Sequence, residues 1–234
     1  MKKLIIIIFL FNLSIKAQTK ECLLESCINN TFNNSHLNKW SISNNTNNTI
    51  ESDTFILIEA KSGDTAFTEL EGIVSIIFTK KYSIIAEHEE KNMYILPYKS
   101  KGDNVKINNQ LPDSISKYFN NDNEVYMDSI AGSVYRNSTE NEVFTIKINK
   151  NNCLIDWIEI TTNEIEDSED ENGFINEVIV KRTIRYQLIS NTNNKTTISK
   201  LITPQKYITI KNKTTTLNPN FRNYELSDLT NDFE

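Results

Sequence analysis

Few residues in this 234-residue chain could do chemistry, and their spacing argues against the familiar kinds. There are two histidines. His36 sits in an Asn-rich stretch and His88 in Ala86-Glu87-His88-Glu89-Glu90. A metal site of His88 with Glu87, Glu89 or Glu90 would need neighbouring side chains to converge, yet adjacent residues on an extended chain point to opposite faces. The motif therefore reads as a solvated charged turn. The acidic run Glu164, Glu166, Asp167, Glu169, Asp170, Glu171 offers hard oxygen ligands, but in the wrong calcium-loop register. Counting from Asp167, Asn172 stands where the sharp turn wants Gly, and Val178 where a bidentate Glu belongs. No Gly-x-Ser-x-Gly elbow, Gly-rich phosphate loop or His-Glu-x-x-His pattern occurs. Paired carboxylates for glycoside hydrolysis need only lie about 5–10 Å apart in space, so no spacing in sequence speaks for or against them. No catalytic residue, metal ligand or cofactor is assigned.

The aromatic residues offer binding rather than reaction. Trp40, Trp157 and the tyrosines could form a ligand platform. Trp157 alternates with Cys153 and Ile155 in an apolar strand, which predicts core packing. Tyr94 and Tyr98 share a strand face flanking Leu96 and are candidates to line a cavity. Of three cysteines, Cys22 and Cys27 are close enough to close a small loop, provided they do not share one regular helix. The runner-up pairing joins Cys153 to Cys22 or Cys27. Otherwise Cys153 is a small buried hydrophobe at the start of a strand. Asp64-Thr65-Ala66, Asp113-Ser114-Ile115 and Asp128-Ser129-Ile130 resemble an Asp-[Ser/Thr]-apolar acceptor for periplasmic O-glycosylation, which would modify Thr65, Ser114 and Ser129.

The elements that would position these residues are read from hydrophobic patterning. Residues 1–17 have a basic start, an apolar run from Leu4 to Leu13 and a small residue, Ala17, at the end, the layout of a secretory signal peptide. That run is too short to span a bilayer, so no transmembrane segment is expected after cleavage. Residues 18–50 are Asn-, Ser- and Thr-rich and predict a loosely ordered segment. From 51 to 217 short β-branched runs alternate with Asn- and Asp-rich turns, which stand in for scarce Gly and Pro. Strands are predicted over 54–60, 72–86 (broken at Lys80-Lys81), 92–98, 124–130, 142–149, 153–162, 174–190 and 196–211, with a bend at Pro204. Leu111, Ile115, Tyr118 and Phe119 form one apolar helical stripe, a short helix that packs on the sheet. Residues 218–234 read as a polar tail with Phe221, Tyr224, Leu226 and Leu229 as docking points.

Two strands of some fifteen residues cannot lie flat in a domain of this size. The fold class is therefore mainly β: an antiparallel meander forming a curved sheet or incomplete barrel with one short packed helix. A two-sheet β-sandwich is the alternative. Net charge is −6, with acids and bases interspersed, so nothing resembles the basic stripe of a nucleic-acid binder. The reading is an exported bacterial protein, periplasmic or secreted, and a non-enzymatic cell-envelope module. Its partner would be a small hydrophobic ligand or an envelope protein. A secreted hydrolase with an unrecognised carboxylate site, and a structural or adhesion module, are the alternatives.

Overall fold

The computed structural model describes residues 23–33, 35–47, 49–97, 115, 119, 124–139, 141–169, 175–211 and 214–230. The signal-peptide reading, Cys22 and Ser114 lie outside these residues. After helix α1 (Leu24–Thr31), hairpin-linked strands β1 (Ser35–Thr46), β2 (Thr49–Ser62), β3 (Thr65–Leu70), β4 (Val74–Phe78), β5 (Tyr82–Glu87) and β6 (Asn92–Pro97) follow in turn. A second run comprises β7 (Glu124–Asp128), β8 (Gly132–Ser138), β9 (Glu142–Asn149), β10 (Leu154–Glu169) and β11 (Ile175–Thr192). Helix α2 (Lys195–Leu201), the small hairpin β12 (Ile208–Lys211) and β13 (Thr214–Leu217), and β14 (Glu225–Asp228) end the described chain.

The two runs join through an antiparallel pairing of β1 with β11, making one twelve-stranded sheet in the order β14-β6-β5-β4-β3-β2-β1-β11-β10-β9-β8-β7. Neighbours are antiparallel except for β14, which adds to β6 in parallel. The sheet is large, curved and not closed, as the long strands predict. Asn47, Lys91 and Cys153 take positive φ of 49°, 58° and 52° at turns, where a Gly-poor chain must use other residues. Gly132 has a different role. A β-carbon there would collide with the carbonyl oxygen of Ile148, so only Gly lets β8 approach β9 at that point.

Cross-strand partners share a face, so the register shows that the two halves of the sheet bury opposite faces. On the first face Trp40, Phe144, Ile146, Ile148, Ile155 and Ile158 pack beneath α1. Ile115 and Phe119 join them; the Phe119 amide donates to the Ile115 carbonyl at 3.1 Å, one helical turn of the predicted stripe. On the second face Ala60, Phe67, Ile77, Ile84 and Ile95 pack beneath Ile198 of α2, Tyr207 and Ile208. Strand β1 lies between the two layers, with His36, Asn38 and Trp40 buried toward α1 and Leu37 toward α2.

Polar groups fasten α1 to three strands. The Thr31 hydroxyl donates to the Cys27 carbonyl at 2.7 Å and accepts the Ile155 amide at 3.0 Å. The Thr31 carbonyl accepts Asn38 Nδ2 at 3.0 Å, and Asn191 Nδ2 donates to Asn38 Oδ1 at 2.6 Å. A helix C-terminus leaves carbonyls unpaired, and here a strand side chain answers one of them.

Several expectations are corrected. Within residues 18–50 the described ones are not a loose leader: they contain α1 and the central strand β1, and the boundary at 51 falls inside β2. Residues 218–234 are not only a tail, because β14 extends the sheet and Tyr224 and Leu226 pack on the core. Thr196–Lys211 is not one strand. Asn194 caps α2 by accepting the amides of Thr196 and Thr197, and a 3-10 turn at Pro204–Lys206 precedes β12. The strand β8, with a polar half of Arg136, Asn137 and Ser138, was not anticipated at all. The acidic run is strand rather than loop through Glu169, and Glu164 and Glu166 both reach Arg182.

Replacing Asn38 with Leu removes two buried hydrogen bonds and leaves the Thr31 carbonyl and the Asn191 amide only their longer mutual contact of 3.4 Å. We expect a loss of about 1–3 kcal/mol in urea-unfolding stability, against less than about 0.5 kcal/mol for Glu89→Gln on an exposed turn.

Candidate functional site

The face that carries α1 in one half of the sheet continues across β2–β6 in the other. There the register lines up rows of side chains across the strands. One row runs Glu59, Thr68, Ile76, Ile85, Tyr94. Beside it one flank runs Leu57, Leu70, Val74, Glu87, Asn92, and the other Lys61, Ala66, Phe78, Ser83, Leu96, so both flanks are apolar in the middle with a polar end. Except for the buried Ala66, these side chains are half-buried. The reverse sides of the same strands carry the core beneath α2. An antiparallel sheet with one face packed normally turns polar residues outward on the other. Here β4, Val74-Ser75-Ile76-Ile77-Phe78, is apolar on both sides, and β5 and β6 nearly so. A second apolar face on this part of the sheet is the feature that sequence reading left undeveloped. The signal was present, because uninterrupted apolar strands mark burial on two faces.

At the inner end of this band sits a carboxylate. Trp40 Nε1 donates to Glu59 Oε2 at 2.8 Å, and Phe32 of the α1 C-terminus stacks on Trp40 with ring centres 5.9 Å apart. Burial pushes the Glu59 carboxyl up to about 7, opposed by the indole hydrogen bond. Tyr186, across β1 on the same face, is raised first by burial and then by the Glu59 charge. None of the ion pairs among the described residues includes Glu59. Lys61, two residues further along the same face, pairs in register with His36. His36 is held low by burial; its hydrogen bond to the Asn33 carbonyl opposes this and the Lys61 charge adds to it.

The other sequence candidates fall elsewhere. Trp40 is fully buried, so it is floor and not platform. Trp157 is not in the core. A bulge between Ile155 and Trp157 flips the alternation, sending Ile155 and Ile158 inward and Trp157 to the opposite face. There it lines an open groove of about 380 Å³ with Met127, Val134, Val143, Arg136 and Lys181, under the Arg185 guanidinium 4.4 Å from its ring centre. Tyr94 lies in the apolar band, while Tyr98 is outside the described residues. Thr65 and Ser129 stand at turns, Ser129 exposed and bonded to Gly132. No group of three or more His, Cys, Asp or Glu arranged to hold a metal occurs among the described residues.

His88 does not face its acidic neighbours. Its Nε2 lies 2.6 Å from Ser75 Oγ, its Nδ1 2.8 Å from the Tyr224 hydroxyl, and Ser75 Oγ lies 3.3 Å from Glu69 Oε2. One consistent assignment has Tyr224 donating to Nδ1, Nε2–H donating to Ser75, and Ser75 donating to Glu69. A hydrolytic triad instead runs acid, imidazole, hydroxyl, with the hydroxyl open to substrate. Here the acid meets the serine, and Ser75 is buried at 2% exposure. The network fastens the chain around β14 to the sheet.

The expected Cys22–Cys27 disulfide is not formed: Cys27 is a free thiol, buried beneath α1, and Cys153 is disulfide-bonded at a turn rather than a buried thiol in a strand. Cys27 lies on α1, where packing against the core leaves its side chain no outward path. Burial raises its thiol to about 11.

No family model matches the chain, and no curated protein matches it. Among solved structures, an uncharacterized conserved protein from Thermus thermophilus aligns at 9% identity over 79% of this chain and 93% of that one, TM-score 0.39. A LolA superfamily protein from Nitrosomonas europaea aligns at 9% identity over 76% and 95%, TM-score 0.31. A putative outer membrane lipoprotein-sorting protein domain from Vibrio parahaemolyticus aligns at 4% identity over 75% and 92%, TM-score 0.33. Likeness this loose carries no argument about what this chain does.

Two measurements check the electrostatics and the cysteines. Glu59 binds its proton more tightly folded than unfolded, so its contribution to stability is full below pH 4.5 and is lost as pH rises through about 7. The loss should reach roughly 2–3 kcal/mol, and Glu59→Gln should flatten the urea midpoint between pH 5 and 8. Cys27 should resist iodoacetamide until the protein is unfolded. With Cys27 free, the three cysteines leave Cys22 as the partner we propose for Cys153, and a non-reducing peptide map should join those two peptides.

Proposed function

We propose that this chain is an exported, non-enzymatic binding module of the cell envelope, and that it holds an elongated hydrophobic ligand against the first face of β2–β6. The observation that carries this reading is the row Thr68, Ile76, Ile85, Tyr94 with its apolar flanks, half-buried on strands whose other side is already packed. Leaving such a face to water costs free energy in proportion to its area, so an apolar second face is most simply explained by something that lies on it. Export is supported by the signal-like residues 1–17, and among the described residues no helix is long and apolar enough to cross a membrane.

The site suits binding better than reaction. Its carboxylate at the inner end, Glu59, is tied to an indole, and apart from Lys61 and Asn38 beside it the side chains along the row to Tyr94 are alkyl, aromatic or hydroxyl. Four inter-strand steps separate Glu59 from Tyr94, about 19 Å, which is the length of an extended fatty chain of about fifteen carbons. An enclosed apolar surface with few polar groups at one end is how small-molecule carriers fix an amphiphile.

Ile85→Asp places a charge in the middle of the row. Binding of a fluorescent fatty-chain probe should weaken at least tenfold while the circular dichroism spectrum is unchanged. Wild-type affinity in that variant would point away from this face. Mass spectrometry of protein exported from its own host should find a fatty-chain compound released on denaturation.

A further inference from the structure

The position of Glu59 within the row specifies the chemistry of the ligand's head. The geometry points to a single-chain amphiphile with a cationic amine head seated beside Glu59 and its tail running over Ile76 and Ile85 to Tyr94. This rests on the proposed apolar site and adds to it a headgroup preference.

Three observations support the assignment. First, Glu59 ends the row, so a tail lying along it brings one terminus to the carboxylate. Second, Glu59 Oε2 is held by the Trp40 indole, and Trp40 is itself packed by Phe32 and the α1 core, so the carboxylate is fixed at the inner end of the row. Third, among the described residues no ion pair includes Glu59, and its hydrogen-bond donor there is the neutral Trp40 N–H. The cross-strand neighbours of Glu59 are the uncharged Asn38 and Thr68, with the Trp40 indole bonded to it and the Tyr186 phenol across β1; the nearest cation on that face of β2 is Lys61, set against His36. A buried carboxylate of this kind is stabilised by an incoming cation and opposed by an incoming anion. The raised Glu59 carboxyl is the same imbalance seen without ligand. A fatty acid, whose head is a second carboxylate, is therefore the poorer occupant.

The test compares dodecylamine, dodecanoate and dodecanol, each below its micelle concentration, binding to the exported chain at pH 8 by calorimetry. Dodecylamine should bind at least tenfold more tightly than dodecanoate. Glu59→Gln should bring that ratio within about threefold by weakening the amine, and leave dodecanol unchanged. Glu71→Gln, at an exposed turn, removes the same unit of net charge and should keep the wild-type ratio. Dodecanoate binding as tightly as the amine, or a preference that survives in Glu59→Gln, overturns the headgroup assignment and leaves the apolar site standing, because dodecanol still binds. If none of the three binds, the proposed function falls with it.

Discussion

The polar clamp at the end of α1 is the constraint on which the architecture depends. Thr31 and Asn38 are fully buried, and between them they tie a helix terminus to β1, β10 and β11 through a small network of side-chain hydrogen bonds. Apolar packing alone would tolerate a slide of α1 along the sheet, since isoleucines are interchangeable contacts. Hydrogen bonds with fixed geometry do not permit it. Once α1 is fixed, Phe32 must lie on Trp40, Trp40 must meet Glu59, and the covered core of one half ends where the apolar band of the other begins.

That boundary explains why β1 is unlike its neighbours. It separates two layers that pack on opposite sides of one sheet, so both of its faces are dry near Leu37 and Asn38. Each half then has one free face. On the β7–β11 half the free face is polar and basic around Trp157, with Lys147 paired to Asp156 and Arg185 near Glu159. On the β2–β6 half the free face is aliphatic. That aliphatic face is half-buried, whereas the more exposed large apolar side chains Ile165, Ile175 and Ile179 lie toward the outer ends of β10 and β11.

Most of the sheet was legible in the sequence. Alternation in β9 and β11, the break at Lys80-Lys81 and the need for curvature all follow from period-two patterning and strand length. The misses have physical causes. Residues 18–50 look soluble because β1 satisfies itself with buried polar side chains, Asn38 foremost, which composition counts as surface. The helix α2 was read as strand because Thr196 and Thr197 are β-formers, but Asn194 supplies a cap that outweighs them. Trp157 was assigned to the wrong face because a single-residue bulge cannot be seen in alternation. The site was only partly readable: Tyr94 was singled out, whereas Glu59 is one acid among many until its neighbour Trp40 is known.

The pairing of β1 with β11 carries a consequence for how the chain reaches its native state. Leu37 meets Thr192 and Thr46 meets Arg182, so the middle of the sheet is closed by segments 136 to 155 positions apart. Loop closure over that span is slow, and the hairpins β1–β6 form long before their inner edge finds a companion. During that interval the N-terminal meander presents an open, hydrogen-bond-hungry margin. A chain built this way passes through an interval in which that margin is an aggregation hazard, and its yield depends on whatever shields the margin until β11 arrives as well as on the strength of the finished structure.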